Sequence, residues 1–284
     1  MSLSLVISEA LLNLYPVLIK SVNADLLTHT AVRMITSALL SYPMITVSVG
    51  QVLGNLSSQL SSLLYLIHIY ASYLGFRYLE VGVALTIFYL YPLFNVLIKF
   101  LLSTQPIDYR IIGYCLVSLV GVYLIATTLV SASPTGSASS GTKYLVIGVL
   151  ALIISALTES LIYTFHKVGQ ETNPFNMLFS SCLSGSIIIS IVWWLTHSTG
   201  TSNHNGISQL IIANAILGVG GYLLRFYSIS GLSTEWYSMV SFIGIIFGYL
   251  YGWLLYGEMI NSSKVIGTLL IMGSLYGVKR LGYD

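Results

Sequence analysis

The stretch SASPTGSASSGT, residues 131–142, divides this chain of 284 residues nearly into halves. It is one of two stretches with the composition of a linker, and the other is STGTSNHNG, residues 198–206. On both sides of residues 131–142, long apolar segments alternate with short polar or Gly/Pro clusters. We predict ten membrane-spanning helices, in the segments 4–22, 26–49, 59–79, 81–102, 108–130, 144–167, 174–197, 207–230, 235–256 and 264–281.

The composition supports a multi-pass integral membrane protein. Hydrophobic residues make up 56% of the chain and charged residues only 7%, against about 25% charged in an average soluble domain. Such a chain has more apolar surface than one soluble core could bury. It is also too hydrophobic and too weakly charged to be disordered. The formal net charge of +2 describes no basic surface, so nucleic acid is excluded as a partner and the lipid bilayer is expected. The sequence does not identify the host membrane; for a prokaryotic source the plasma or inner membrane is expected.

The N-terminal segment and the cysteines add two expectations. The segment lacks a basic leader and a small-residue cleavage site, so we interpret it as a retained first span. Cys115 and Cys182 lie in apolar stretches without a metal-ligand spacing, which is typical of buried thiols. No metal site and no cofactor are therefore predicted.

Each half holds five predicted segments, so the second half must enter the membrane from the side opposite to the first. The halves, residues 1–130 and 143–284, also align in sequence, with an offset that drifts only from 147 to 154. The aligned pairs are LYPVLIK (14–20) with LIYTFHK (161–167), YLGFRYL (73–79) with FYSISGL (226–232), and Gly113 with Gly267. The pattern predicts an all-α membrane fold of two inverted five-helix repeats joined by residues 131–142. That architecture is typical of secondary transporters, whose site lies near the midplane.

Four motifs resemble the drug/metabolite transporter superfamily in its ten-helix EamA-domain form. They are YPVLIK (15–20) followed by Arg33, SYLGFRYLEVGVA (72–84) with YLYPLF (89–94), the short hinge Gly231-Leu232, and YGE (256–258) leading into KVIG (264–267). The resemblance covers essentially the whole chain. It implies a transporter of amino acids and similar metabolites, with helices 1, 3, 4, 6, 8 and 9 around the cavity and both termini in the cytoplasm.

The sequence departs from the family pattern in two places. Residues 104–106, TQP, stand where the family often repeats Gly-Glu, and the ninth segment has no proline that matches Pro92. These departures concern the subfamily, and therefore the substrate, rather than the fold.

In the first segment Glu9, Asn13, Pro16 and Lys20 share one helix face, since their spacings are four, three and four. We expect Asn13 to bind substrate, Glu9 and Lys20 to act as coupling or counter-charges, and Pro16 to act as a gate or hinge. The alternative is that Glu9 and Lys20 extend to opposite membrane surfaces.

The sixth segment places Glu159, Tyr163, His166 and Lys167 within about two turns. An ionisable residue in mid-span is a functional candidate by default. We predict that Glu159 exchanges protons or binds substrate, that Tyr163 and His166 line the site, and that Lys167 is a counter-charge. The alternative is a structural ion pair of Glu159 with Lys167 or Arg225.

Two further segments supply candidate binding residues. His68 and Ser72 lie one turn apart on the third, and the fourth carries Tyr89, Pro92 and Asn95. Pro92 frees a backbone carbonyl, which a membrane tolerates only beside a cavity or a polar neighbour. We expect a pocket wall here, with Pro92 as a gate or hinge. The alternatives are an interior histidine and an interfacial belt of aromatic residues.

On the eighth segment, Tyr222 and Arg225 lie three residues apart. Because Arg225 cannot lose its charge, it needs a partner or an anion. It is our best single candidate for binding a carboxylate or phosphate. The alternative is a structural pair with Glu159 or Glu235.

The ninth segment carries a stripe of small residues, Gly244, Gly248 and Gly252, at four-residue spacing. Such a stripe lets two helix backbones approach closely. We favour packing within the monomer over a dimer seam, so the expected state is a monomer or a weak homodimer.

Three classes of function compete. The leading one is a secondary active transporter, an exporter or exchanger, that moves a small polar or amphipathic metabolite such as an amino acid, with protons as the candidate coupling ion. The runner-up is an antiporter of phosphorylated metabolites or nucleotide sugars, which needs a cationic cluster such as Lys20, Lys167 and Arg225. The third is an intramembrane enzyme, which we do not expect because no His-Glu-x-x-His or Gly-x-Ser-x-Gly motif occurs.

Overall fold

The computed structural model describes residues 2–102, 109–131, 138–169, 172–197 and 206–280, and within these ranges the chain is helical, without strands. Its helices are α1 Ser2–Ile19, α2 Leu26–Ser41, α3 Val49–Gly54, α4 Leu56–Tyr78, α5 Val81–Phe88, α6 Tyr91–Leu102, α7 Tyr109–Ser131, α8 Ala138–Val168, α9 Pro174–His197, α10 Ile207–Ala213, α11 Gly220–Gly231, α12 Thr234–Ser241, α13 Ile243–Tyr256 and α14 Ser262–Arg280. A 3₁₀ turn covers Tyr42–Met44, and a π-helical turn, Asn214–Val219, joins α10 to α11. Residues 132–137 of the predicted linker, 198–205 of the second polar stretch, and the TQP sequence lie outside the described residues.

Several of these helices are long and apolar enough to cross a membrane. Among the described residues four such spans occur, Ser2–Ile19, Lys143–Val168, Pro174–Thr196 and Ile207–Gly231. Shorter apolar helices occupy Val81–Asn95, Leu116–Ile125 and Ile243–Tyr256. The chain is therefore an integral membrane protein, as its composition predicts.

At the starts of two helices, a carboxylate side chain accepts hydrogen bonds from the free backbone N–H groups. Asp25 accepts a hydrogen bond from the Thr28 amide at 3.0 Å and so caps α2. Helix α5 is capped from far along the chain, since the Glu258 carboxylate accepts from the amides of Val81 at 2.5 Å and Gly82 at 2.9 Å. The Gly-Glu motif thus ties the connection before α14 to the start of α5.

Two predicted segments, 81–102 and 235–256, are each broken into two helices. The first break lies between α5 and α6, just ahead of Pro92, whose nitrogen has no hydrogen to donate to the preceding turn. The second lies at Phe242, between α12 and α13, without a proline. The breaks face each other, because a side-chain carbon added at Gly244 would overlap the Tyr89 hydroxyl.

The glycine stripe of the ninth segment packs inside the monomer. An added Cβ at Gly248 would lie 2.7 Å from the Leu85 side chain, and one at Gly252 would lie 2.4 Å from the Glu258 carboxylate. These contacts place α13 directly against α5, which agrees with the packing that the sequence analysis favours.

A lysine meets a helix end at each of two places in the fold. Lys20, just after α1, donates to the Leu79 carbonyl at the end of α4, at 2.8 Å. Lys167, near the end of α8, donates to the carbonyls of Ile229 at 2.9 Å and Leu232 at 2.7 Å, at the end of α11. A positive charge at a helix C-terminus is favourable because the last carbonyls carry partial negative charge.

Helices α7 and α14 approach closely through one glycine from each, which gives a stability prediction. A Cβ at Gly267 would lie 2.6 Å from the Gly121 carbonyl oxygen, whereas a Cβ at Gly273 on the same helix meets nothing within 4 Å. We expect Gly267→Ala to lower the free energy of unfolding by about 1–3 kcal/mol through overpacking. The matched control Gly273→Ala should change it by less than about 0.5 kcal/mol. Thermal unfolding in detergent measures both, and equal effects would contradict the close approach.

Candidate functional site

An arginine between two carboxylates forms the most buried charged group in the described part of the chain. Arg225 on α11 is 2% exposed, Glu9 on α1 is 0% exposed and Glu159 on α8 is 4% exposed. The Arg225 guanidinium donates to Glu9 Oε2 at 2.8 Å and Oε1 at 3.0 Å, and to Glu159 Oε1 at 2.5 Å. We call Glu9, Glu159 and Arg225 the ion triad. It takes one carboxylate from each half of the sequence.

Hydrogen bonds from α5 and α6 hold the Glu9 end of the triad. The hydroxyl of Tyr89, at the break between these helices, donates to Glu9 Oε2, and the Tyr91 hydroxyl lies 3.3 Å from Glu9 Oε1. Asn13, one turn after Glu9 on α1, donates to the Tyr89 hydroxyl at 2.6 Å. The spacing of four residues that predicted one face for Glu9 and Asn13 therefore directs both to the break.

A histidine and a tyrosine hold the Glu159 end. His68 Nε2 lies 3.5 Å from Glu159 Oε2 and 3.1 Å from the Tyr222 hydroxyl, which itself lies 3.4 Å from the same carboxylate oxygen. The other ring nitrogen, Nδ1, lies 3.1 Å from both the carbonyl and the hydroxyl oxygen of Ser155. His68 is thus held on both ring nitrogens and is 4% exposed.

The charges of the buried group balance when both carboxylates are ionised and His68 is neutral. Glu9 and Glu159 carry two negative charges, and Arg225 and Arg33, whose guanidinium groups both pack on the Tyr222 ring, carry two positive charges. A buried site away from water strongly favours such neutrality. Glu9, Glu159 and His68 are the three side chains of the group that can take up a proton.

A second buried cation, Arg33 on α2, lies close to the triad. Arg33 is 6% exposed, and its guanidinium carbon lies 4.4 Å from the ring centre of Tyr15, 6.0 Å from that of Tyr73 and 5.3 Å from that of Tyr222. Its NH1 lies 3.2 Å from the Tyr73 hydroxyl. Since Arg225 lies 5.5 Å from the Tyr222 ring centre, both guanidinium groups pack on this one ring.

A small cavity of about 40 Å³ lies beside the two arginines, and Arg33, His68, Tyr222 and Arg225 are among its lining residues. A wider pocket of about 370 Å³, which we call the vestibule, lies between the end of α1, the start of α2 and the end of α4. Its lining includes Lys20, His29, Tyr73, Phe76 and Arg77. Pro16, Tyr73 and Phe76 line both spaces, so the vestibule and the cavity adjoin at these residues.

The structure brings together seven of the predicted residues around the triad. These are Glu9, Asn13, His68, Tyr89, Glu159, Tyr222 and Arg225. Ser72 and Pro16 line the cavity, and Pro92 lies next to Tyr91 in α6. Of the partners considered for Arg225, Glu159 is in contact, and the side chain of Glu235 lies outside the described part.

The remaining predicted residues lie away from the triad. Tyr163 donates to Thr234 at 3.1 Å, and His166 contacts Ser181 at 2.9 Å. The side-chain oxygen of Asn95 accepts from Ser160 at 2.7 Å. Lys20 and Lys167 meet the helix-end carbonyls described above. Whether these residues take part in function stays a prediction.

Sequence reasoning missed Arg33 as a site residue, because the second segment was expected only to support the cavity helices. The sequence of the second segment did contain a signal for this role. His29, Arg33 and Ser37 are spaced four residues apart and therefore share one face of α2, and all three are buried in the structure. A mid-helix arginine on such a face points to a polar environment inside the fold.

Fold and site together define an all-helical integral membrane protein with a charged cluster buried beside an open pocket. Residues 146–280, just under half of the chain, match the profile of the EamA-like transporter family. The resemblance that the motifs carry is thereby confirmed, and the family consists of transporters, not enzymes.

Two other comparisons bear on the chain. A crystal structure of a protein superposes with a TM-score of 0.62 at 13% identity, covering 99% of this chain and 95% of the other. At that identity the likeness concerns the fold alone. No curated protein matches this sequence.

Proposed function

We propose that this protein is a secondary active transporter that exports or exchanges a small polar or amphipathic metabolite by alternating access. The observation that carries the proposal is the ion triad, in which Glu9 from the first half and Glu159 and Arg225 from the second meet beside a cavity. Buried ionisable groups in a membrane are costly and mark substrate or ion pathways. The family assignment of residues 146–280 supports the same class.

We further propose that the fold consists of ten spans in two inverted repeats, joined by residues 131–142. Two observations support this. Lys20 contacts Leu79 and Lys167 contacts Leu232, which are equivalent pairs in the sequence alignment of the halves. The helix breaks at Tyr89 and Phe242 are likewise offset by 153 residues. In such a fold both termini lie on one side of the membrane.

Protons are the coupling ion that the site favours. Glu9, Glu159 and His68 are buried groups that can take up or release a proton if the cavity opens alternately to the two sides. An amino acid is the substrate that family resemblance suggests.

The runner-up function, exchange of phosphorylated metabolites, receives less support. It needs free cations in the cavity, and Lys20, Lys167 and Arg225 were the candidates. Arg225 is bound by two carboxylates, and both lysines donate to backbone carbonyls. Neither lysine is among the described lining residues of the cavity, and the charge of Arg225 is already balanced by carboxylates.

A proteoliposome screen tests the proposal. Purified protein is reconstituted, and uptake of amino acids and other small metabolites is measured with and without an inward pH gradient. We expect concentrative uptake of at least one compound that collapses with a protonophore, while Glu80→Gln, at a partly exposed ion pair with Lys264, should behave like the wild type. A cooperatively folded protein that moves no metabolite under any gradient would contradict the proposal.

A further inference from the structure

Arg33 is a buried cation that lacks an acidic partner among the described residues. Its contacts are aromatic rings and the Tyr73 hydroxyl, whereas the nearby Arg225 takes both carboxylates of the triad. The surplus negative charge of the triad balances Arg33 only across the Tyr222 ring, without a direct hydrogen bond. A directly hydrogen-bonded counter-ion stabilises a buried charge much more. The Arg33 guanidinium therefore offers a binding site to an anion in the cavity.

Two residues that line the cavity carry unused hydrogen-bond donors. Arg33 Nε and Arg225 Nε are both buried without a hydrogen-bond partner, and both residues line the cavity. The Tyr65 hydroxyl, also buried without a partner, belongs to a ring that packs edge-on against Tyr222 at 5.1 Å. Most buried polar groups in proteins are satisfied. Two unsatisfied guanidinium N–H groups on residues of one cavity are available to an acceptor, and a negatively charged acceptor gives the stronger bond.

The size of the cavity limits that acceptor. A buried water needs about 10–15 Å³ of such space, so the cavity of about 40 Å³ holds about three atoms of that size. A carboxylate group has three heavy atoms, whereas a phosphate has five. The larger part of a bound molecule would remain in the vestibule, whose volume of about 370 Å³ is in the usual range for small-molecule pockets.

The lining of the vestibule has the charge and polarity for an organic anion. Lys20 and Arg77 supply positive charge, Ile19 and Phe76 supply apolar surface, and no carboxylate is among its described lining residues. An ammonium group on the ligand would meet these cations, with the acids of the triad already bound to Arg225.

We infer that Arg33, held among Tyr15, Tyr73 and Tyr222, binds the carboxylate of the transported molecule, and that the substrate class is a small organic monocarboxylate with an apolar body in the vestibule. This inference rests on the proposed transport function. It narrows the substrate from a small polar or amphipathic metabolite to one chemical class, and it gives helix α2 a direct part in binding.

A matched set of probes tests the inference by binding. Isovalerate, isovaleramide and L-valine share one branched skeleton and differ in charge, and inorganic phosphate serves as the competing anion. The thermal unfolding temperature of the purified protein in lipid nanodiscs is measured against the concentration of each probe. We expect isovalerate to raise it with saturation, isovaleramide and phosphate to leave it unchanged, and valine to act more weakly than isovalerate.

Variants identify the binding residue. Arg33→Gln should weaken isovalerate binding about 30-fold, which corresponds to about 2 kcal/mol. The affinity of Arg33→Lys should lie between those of the wild type and Arg33→Gln. Arg110→Gln, at an exposed arginine of α7, should bind isovalerate as the wild type does. Without ligand, Arg33→Gln should unfold no earlier than the wild type, because it breaks no direct ion pair. The inference is overturned if isovaleramide, phosphate or valine stabilises the protein as much as isovalerate, if no probe binds, or if Arg33→Gln keeps the affinity or loses ligand-free stability.

Uptake of radiolabelled isovalerate by proteoliposomes separates this inference from the proposed function. Arg33-dependent binding without uptake would overturn the transporter and leave the binding site standing. Uptake that Arg33→Gln does not change would overturn the binding site and leave the transporter standing.

Discussion

Replacing Arg225 by glutamine is expected to lower the free energy of unfolding by about 3–5 kcal/mol, the usual effect of removing one partner from a buried ion pair. The variant leaves Glu9 and Glu159 buried and facing each other without their shared cation. Thermal unfolding in detergent and the yield of monodisperse protein measure the loss. Arg33→Gln is the matched control, because it removes another buried arginine that has no direct carboxylate partner among the described residues, and it should keep the stability of the wild type.

Compensating changes make this prediction specific to the triad. Because two carboxylates share Arg225, adding Glu159→Gln to Arg225→Gln should restore only part of the stability, and a further Glu9→Gln should restore most of it. Non-additive effects of this kind are expected for residues in direct contact. Full restoration by Glu159→Gln alone would show that Glu9 does not depend on Arg225.

Glu159→Gln alone is expected to leave the protein folded and to remove the pH dependence of transport. The change leaves Glu9 and Arg225 as a one-to-one pair, so no buried charge loses its partner. It also removes one of the buried side chains that can take up and release a proton during the cycle. We expect gradient-driven transport to fall at least about tenfold, equivalent to about 1.4 kcal/mol, while the unfolding temperature stays the same.

The measurement is uptake across a series of pH gradients, with Tyr163→Phe as the control on the same helix. Tyr163 lies one turn from Glu159 but donates to Thr234 rather than to the triad, so its variant should keep the pH profile of the wild type. Unchanged pH dependence in well-folded Glu159→Gln protein would contradict a role of Glu159 in proton exchange.

The sequence could predict which helix faces are polar, but not which of those faces meet. On α8, Glu159 and His166 lie about two turns apart on the predicted face, yet Glu159 reaches Arg225 while His166 reaches Ser181 on α9. Helical periodicity fixes a direction around one axis only. The partners depend on how neighbouring helices are placed along and around that axis.

Segment boundaries show the same limit. Hydropathy predicts one span for each of the apolar segments 81–102 and 235–256. Pro92 predicts a kink in the first of them. No residue type marks the break at Phe242, which arises where α12 and α13 meet the Tyr89 region through Gly244. Hydropathy reports how apolar a segment is, and backbone geometry near a packed neighbour is not part of that signal.

The separation of Glu9 and Arg225 along the chain has a consequence for biosynthesis. They lie 216 residues apart, so at about 5–20 residues per second the ribosome completes α1 about 10–40 s before it makes the arginine. During that interval α1 must enter the membrane with an acidic residue that has no counter-ion, at a penalty of about 2.5–3.5 kcal/mol for a charged side chain at the centre of a helix. The first helix is therefore a weak insertion signal on its own, and its final position in the bilayer is fixed only when α11 arrives.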